Sequence, residues 1–132
     1  MDTKEWTELF IRNKDVVAKK LVSIDDRGDS FECTYKDARR TYLIREDLSD
    51  EIIPFASRLD LSIVCLNKRK NVSFLAKHWD IFVQNRTLMI IFSNPATNSK
   101  WIINPSVHDS VAGRSNLSAG LMSLASAIDE VQ

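Results

Sequence analysis

Two aliphatic runs, Leu61–Leu66 and Leu88–Phe92, constrain this chain more than anything else in it. Each is too short for an ordinary helix and too apolar for a strand wetted on one side, so each reads as a strand covered on both faces. Between them Val72, Leu75, Ala76, Trp79, Phe82 and Val83 form the single apolar stripe of a helix, with Asn71 placed to cap it. Strand, helix and strand of this length lay two parallel strands side by side through a right-handed crossover. The spacing therefore predicts a central parallel pair bridged by the Trp79 helix.

The N-terminal half adds strands of a different kind. Trp6, Leu9 and Phe10 mark a first helix, capped by Thr3 and ending near Asn13. Val16–Ile24 is rich in β-branched residues and runs into the turn cluster Asp25–Asp29; the segment reads either as a strand or as more helix, and the turn cluster tilts it to a strand ending in a hairpin. Phe31, Cys33 and Tyr35 alternate with Glu32, Thr34 and Lys36, which gives a strand wetted on one face. A turn at Lys36–Arg39 reverses the chain into a third strand, Arg40–Arg45. A short helix from Ser49 to about Leu59 follows, limited by Pro54.

Asn94-Pro95 ends the second buried strand, Ala96–Lys100 makes a loop, and Trp101–Ile103 returns as an edge strand that Asn104-Pro105 stops in turn. His108 and Asp109 fall in the turn or short helix beyond it. The last element is a helix from Ser115 or Asn116 with Leu117, Leu121, Leu124, Ile128 and Val131 on one face. Its small neighbours suit close packing on the sheet or on a second copy of the chain. The fold class expected is mixed α/β: antiparallel N-terminal strands joined to a central parallel pair and flanked by helices, all in one domain, residues 1–132.

Charge excludes little by itself. Eighteen basic and eighteen acidic residues balance; residues 1–60 carry 11 basic and 14 acidic groups, a net −3, and residues 61–132 a net +3. No run approaches the length of a membrane span and the N-terminus has no apolar leader, so a cytoplasmic location away from membranes is the expectation. Cys33 and Cys65 sit in strand-like segments, which reads as two buried, reduced thiols. No cofactor or metal is expected. The three glycines are isolated, so no phosphate loop exists, and neither His78 nor His108 has a second soft ligand near it in sequence. His78, on the apolar side of its helix, reads as a satisfied core histidine.

The best candidate ligand or partner surface is the basic turn Lys68, Arg69 and Lys70 at the carboxyl end of a parallel strand, where open α/β sheets tend to hold ligands, with Asn94, Asn98 and Trp101 near the same edge. A second basic turn, Arg39-Arg40, is a further candidate for phosphate contact, and Lys77 and Arg86 extend the first. His108 is the candidate for an enzymatic reading, and no catalytic set is assigned. The element order helix, three antiparallel strands, helix and strand resembles the nuclease core shared by restriction endonucleases. In that family a carboxylate on the second strand and a Glu-x-Lys on the third hold a catalytic metal. Glu32 stands in the first place, but Thr41–Glu46 supplies no such pair, so the resemblance implies a fold and a nucleic-acid partner without the family's metal chemistry. The favoured expectation is a non-enzymatic binding or protein-interaction module, followed by a nucleic-acid binder and then by an enzyme using His108 in a cleft. Self-association through the C-terminal helix is expected of the interaction reading.

Overall fold

A computed structural model describes all 132 residues, Met1–Gln132. One six-stranded sheet runs in strict chain order: β1 (Leu21–Asp26), β2 (Ser30–Tyr35), β3 (Arg39–Ile44), β4 (Leu61–Leu66), β5 (Met89–Asn94) and β6 (Ser99–Ile103). The first three strands form an antiparallel meander, β3, β4 and β5 are parallel, and β6 folds back antiparallel on β5. The mixed α/β architecture and the central parallel pair follow the sequence reading, with Ile63 beside Ile90 and Val64 beside Ile91. Every residue of β4 is buried, as a strand covered on both faces requires.

The two faces of the sheet bury different cores. On one, Ile63, Cys65, Ile90 and Phe92 pack beneath α2 (Arg69–Lys77), α3 (Trp79–Phe82) and α5 (Leu117–Ala125). On the other, α1 (Thr3–Lys14) alone covers the sheet, setting Trp6 and Ile11 on Phe31, Cys33, Tyr42, Val64 and Ile91. Strand alternation puts Cys33 on the α1 face and Cys65 on the opposite face, with β3 between their strands. Two strand spacings separate them, roughly 10 Å, more than a disulfide spans. Burial raises the Cys65 thiol's pKa well above its ordinary value, and burial pushes Cys33 up to about 11. At pH 8 both stay protonated thiols. Neither cysteine is therefore expected to take iodoacetamide at pH 8 until denaturant is added, whereupon both react; prompt labelling of the native protein would mean that α1 does not cover β2.

Several elements depart from the sequence reading for identifiable reasons. Helix α1 is capped by Asp2, whose carboxylate accepts the Glu5 amide; Thr3 is buried instead, and its hydroxyl donates to Glu46 at 2.5 Å. The chain from Val16 to Lys20 is a turn rather than strand, held by Asp15, whose two carboxylate oxygens accept the amides of Lys20 and Leu21. The Pro54 segment is a 3-10 turn, Asp50–Phe55, because the proline removes an amide that an α-helix would need. The Trp79 helix begins at Arg69, so Asn71 lies inside it and is not its cap. It also breaks at His78, giving α2 and α3. The last helix ends at Ala125 rather than near Val131; the tail beyond it crosses to Asn67, whose carbonyl accepts the Val131 amide.

Candidate functional site

Parallel strands give the sheet two unlike ends, and they separate the two basic turns. Arg39 and Arg40 begin β3, whereas Lys68 follows the end of β4, which runs beside β3 in the same direction. A six-residue strand spans about 20 Å, so the turns cannot act on one small ligand.

At the carboxyl end the protein's own acids pair with the basic turn, beside an open groove of about 510 Å³ lined by Lys68, Arg69, Met122, Ile128 and Glu130. Lys68 and Lys70 both pair with Asp47, and Arg69 pairs with Glu130, whose carboxylate also accepts the Arg69 amide. Asn94 donates its amide to the Asp129 carbonyl and is buried. Trp101 is 9% exposed, stacks on Phe92 with ring centres 4.2 Å apart, and donates its indole N–H to Asn67. Asn98 lies at the β5–β6 turn in a left-handed conformation and accepts the Trp6 indole N–H at 2.9 Å, tying α1 to the sheet. These four elements of the expected site thus serve packing and the seating of the C-terminal tail.

His108 lies on α4 (Pro105–Ala112), whose start Asn104 caps by accepting the Val107 amide. Its ring meets Trp79 edge-on at 5.8 Å, and neighbouring Asp109 is engaged by the Trp79 indole and by Arg114, so no base and nucleophile are juxtaposed there. His78 is partly buried as expected, but it is not satisfied: its Nε2 has no hydrogen-bond partner and stands 3.7 Å from Asp50. Glu32 accepts from Thr41 and Arg58, and no three carboxylate, histidine or cysteine side chains converge on a point. Of the apolar stripe expected on α5, Leu121 is fully buried against the α2 side of the core and Leu124 is exposed.

The amino end of the parallel strands holds what the sequence reading passed over, a cleft of about 270 Å³ between the end of α1 and the β2–β3 hairpin. Ile11, Ala18, Tyr35, Ala38 and Tyr42 give it apolar walls, and Lys14, Lys20 and Arg40 give it cations, with Arg39 at its rim and alternating onto the opposite face of the sheet. Lys20 is paired with Asp37. Lys14, Arg39 and Arg40 have no carboxylate partner, although more than half of the chain's cations do. Arg40 is fixed from behind, donating to the Ser62 hydroxyl at 3.0 Å and to the Thr87 carbonyl at 3.1 Å. Lys14 is exposed by surface area, yet the protein crowded about its ammonium, and next the Arg40 guanidinium, hold its pKa below the usual lysine value.

The two phenols complete the lining. Burial, followed by the neighbouring Tyr42, raises the pKa of Tyr35, and burial raises that of Tyr42, so both remain neutral donors rather than nucleophiles at physiological pH. Asp15 and Asp60 are the carboxylates of the cleft, and Asp15 is occupied by backbone amides. Only Arg39-Arg40 was visible as a candidate from sequence; Lys14, Lys20 and Tyr35 join it through the fold.

The molecule so defined is a mixed α/β domain with a basic, apolar-walled cleft at the amino end of its parallel strands. Comparison with family models, with curated proteins and with solved structures finds no match.

Proposed function

We propose that the protein is a non-enzymatic binding module whose ligand carries negative charge and sits in the cleft between α1 and the β2–β3 hairpin. One observation carries this reading: Lys14 and Arg40 share a concave, apolar-walled space and form no ion pair, while Lys68 and Lys70 both pair with Asp47 and Arg69 pairs with Glu130. Like charges held together without a partner cost stability, and a bound anion removes that cost.

Lys14 makes the point testable. Its lowered pKa means that the fold disfavours the ammonium, a penalty fully present at neutral pH and lifted only as pH rises through the alkaline range towards 10.5. Lys14→Met is therefore expected to leave the melting temperature unchanged or slightly raised at pH 7, while weakening the binding of inorganic phosphate at least tenfold. Arg39→Ala is expected to weaken it less, and Lys68→Ala not at all. Calorimetric titration at 50 and 200 mM salt reads all three, with binding falling as salt rises. Equal affinity in wild type and Lys14→Met would remove the cleft from consideration.

A nucleic-acid reading has its own support. Lys19, Lys36 and Arg86 lie at the same end of the sheet, also without ion-pair partners, and extend the positive surface beyond the cleft. A single-stranded oligonucleotide held there shows a steep salt dependence that each of these three lysine or arginine removals reduces by about one counter-ion.

A further inference from the structure

Resting on the anion reading above, we infer that the ligand of this cleft is a phosphomonoester carried on a small flat apolar body, of the aryl phosphate class. The two cations come from separate elements, Lys14 on the last turn of α1 and Arg40 on β3, near enough for the Arg40 charge to disfavour the Lys14 ammonium, whereas Arg39 alternates onto the opposite face of the sheet beside Glu32 and Thr34. A carboxylate offers two oxygens in one plane; a phosphomonoester offers three at a tetrahedral centre and carries up to two charges, enough to answer both members of the Lys14 and Arg40 pair.

Arg40 is suited to this part. It has five N–H donors, two of them used on Ser62 and Thr87, which leaves three and a guanidinium that cannot swing away. The negative charges that face the cleft do not displace such a ligand. Asp15 is turned onto the Lys20 and Leu21 amides, Asp37 is turned onto Lys20, and Asp60 remains as the single uncommitted carboxylate at the start of β4.

The rest of the cleft sets the body. Its volume lies just below the range of roughly 300 to 1,000 Å³ typical of small-molecule sites, the scale of a single ring with its phosphate. Tyr35 is half-buried and gives the cleft an aromatic surface, Ala18 and Ala38 add exposed aliphatic surface, and the buried Tyr42 and Ile11 close the floor, a lining that favours a planar apolar group over a sugar bristling with hydroxyls.

The test compares phenyl phosphate, phenyl sulfate, benzoate, inorganic phosphate and a 12-nucleotide single strand on the full chain by calorimetry at pH 7.5. Phenyl phosphate is expected to bind at least tenfold more tightly than benzoate or inorganic phosphate, and more tightly than the singly charged phenyl sulfate. Lys14→Met, whose exposed position keeps folding intact as circular dichroism verifies, is expected to erase the preference for phosphate over sulfate while retaining that for phenyl phosphate over inorganic phosphate. Benzoate or phenyl sulfate binding as well as phenyl phosphate overturns the phosphomonoester while leaving an anion site standing. Failure of every anion to bind at low salt overturns both. Tight binding of the oligonucleotide that phenyl phosphate does not compete away overturns the small-ligand assignment in favour of a nucleic-acid surface.

Discussion

Asn71→Ala is expected to lower the unfolding free energy by about 2–4 kcal/mol, a large part of the roughly 5–15 kcal/mol of a typical domain. Asn71 is wholly buried within the first turn of α2. Its side-chain oxygen accepts the Leu48 amide, and its side-chain nitrogen donates to the carbonyls of Glu46 and Leu66, each at 2.8 Å. One amide side chain thus pins the chain leaving β3 to the end of β4. The losses are unequal. Both carbonyls keep a second partner, since Glu46 also accepts the Leu66 amide and Leu66 the Lys68 amide, whereas the Leu48 amide has no other acceptor. Most of the cost is the desolvation of that one orphaned donor plus the void left by the amide. Asn71→Asp restores an acceptor for Leu48 but turns a carboxylate onto two carbonyls, and is expected to be no better than alanine. Urea denaturation with an unchanged m-value measures both. A loss under 0.5 kcal/mol for Asn71→Ala would show that the β3–β4 connection is held by other contacts.

Asn71 also marks where the sequence was legible and where it was not. Periodicity is a property of buried faces, and it gave the stripe of Val72, Leu75, Trp79 and Phe82 and the two aliphatic strands that α2 and α3 bridge. Asparagine before an apolar stripe has the same appearance whether it caps the helix or reaches out of its first turn, because both uses satisfy backbone groups. The strand expected over Val16–Ile24 holds from Leu21 and fails before it for a related reason: Val16 and Val17 suit a strand by propensity, but Asp15 takes the amides of Lys20 and Leu21 and makes a turn, leaving both valines exposed. His78 was read as satisfied from its place on the stripe, and no pattern records that the helix breaks there with Nε2 unpartnered.

The candidate site was less legible than the fold, since a site depends on which distant residues meet. Lys68-Arg69-Lys70 was conspicuous as a run, yet its partners Asp47 and Glu130 lie on either side of it in sequence, far enough that their pairing is invisible without the fold. Lys14 is inconspicuous, one lysine at the end of a helix. It becomes notable only because Arg40, the second residue of β3, lines the same cleft and neither forms an ion pair. The rule that ligands gather at the carboxyl ends of parallel strands pointed to the Lys68 turn, where the C-terminal tail forms one wall of a groove and supplies Glu130 to Arg69.

That tail leads to the second large effect, at Asn67. Its side-chain amide donates to the carbonyls of Ala125 and Asp129 at 3.1 and 3.2 Å, and its oxygen accepts the buried Trp101 indole N–H at 2.9 Å. Asn67→Ala removes all three bonds and orphans the indole nitrogen beneath the tail, a loss of about 2–3 kcal/mol. Asn67→Asp separates the two roles. A carboxylate still accepts from Trp101 but repels both carbonyls, so the tail is expected to lift while the Phe92 and Trp101 stack stays in place. Carboxypeptidase is then expected to trim Asn67→Asp from Gln132 inward several times faster than wild type, with Trp101 fluorescence unaltered, whereas Asn67→Ala changes both. The Asn94 amide, which donates to the same Asp129 carbonyl, and the Arg69 amide, which donates to Glu130, lose their partners in either variant once the tail lifts. Lys68 and Arg69 would then stand over an open strand end with one acid fewer between them, and anion binding confined to the cleft in wild type would acquire a second, Lys68-dependent component in Asn67→Asp. If the tail in that variant resists trimming as wild type does, the Asn67 clip is not what holds the tail in place, and the packing of Ile128 against the core is left as the restraint.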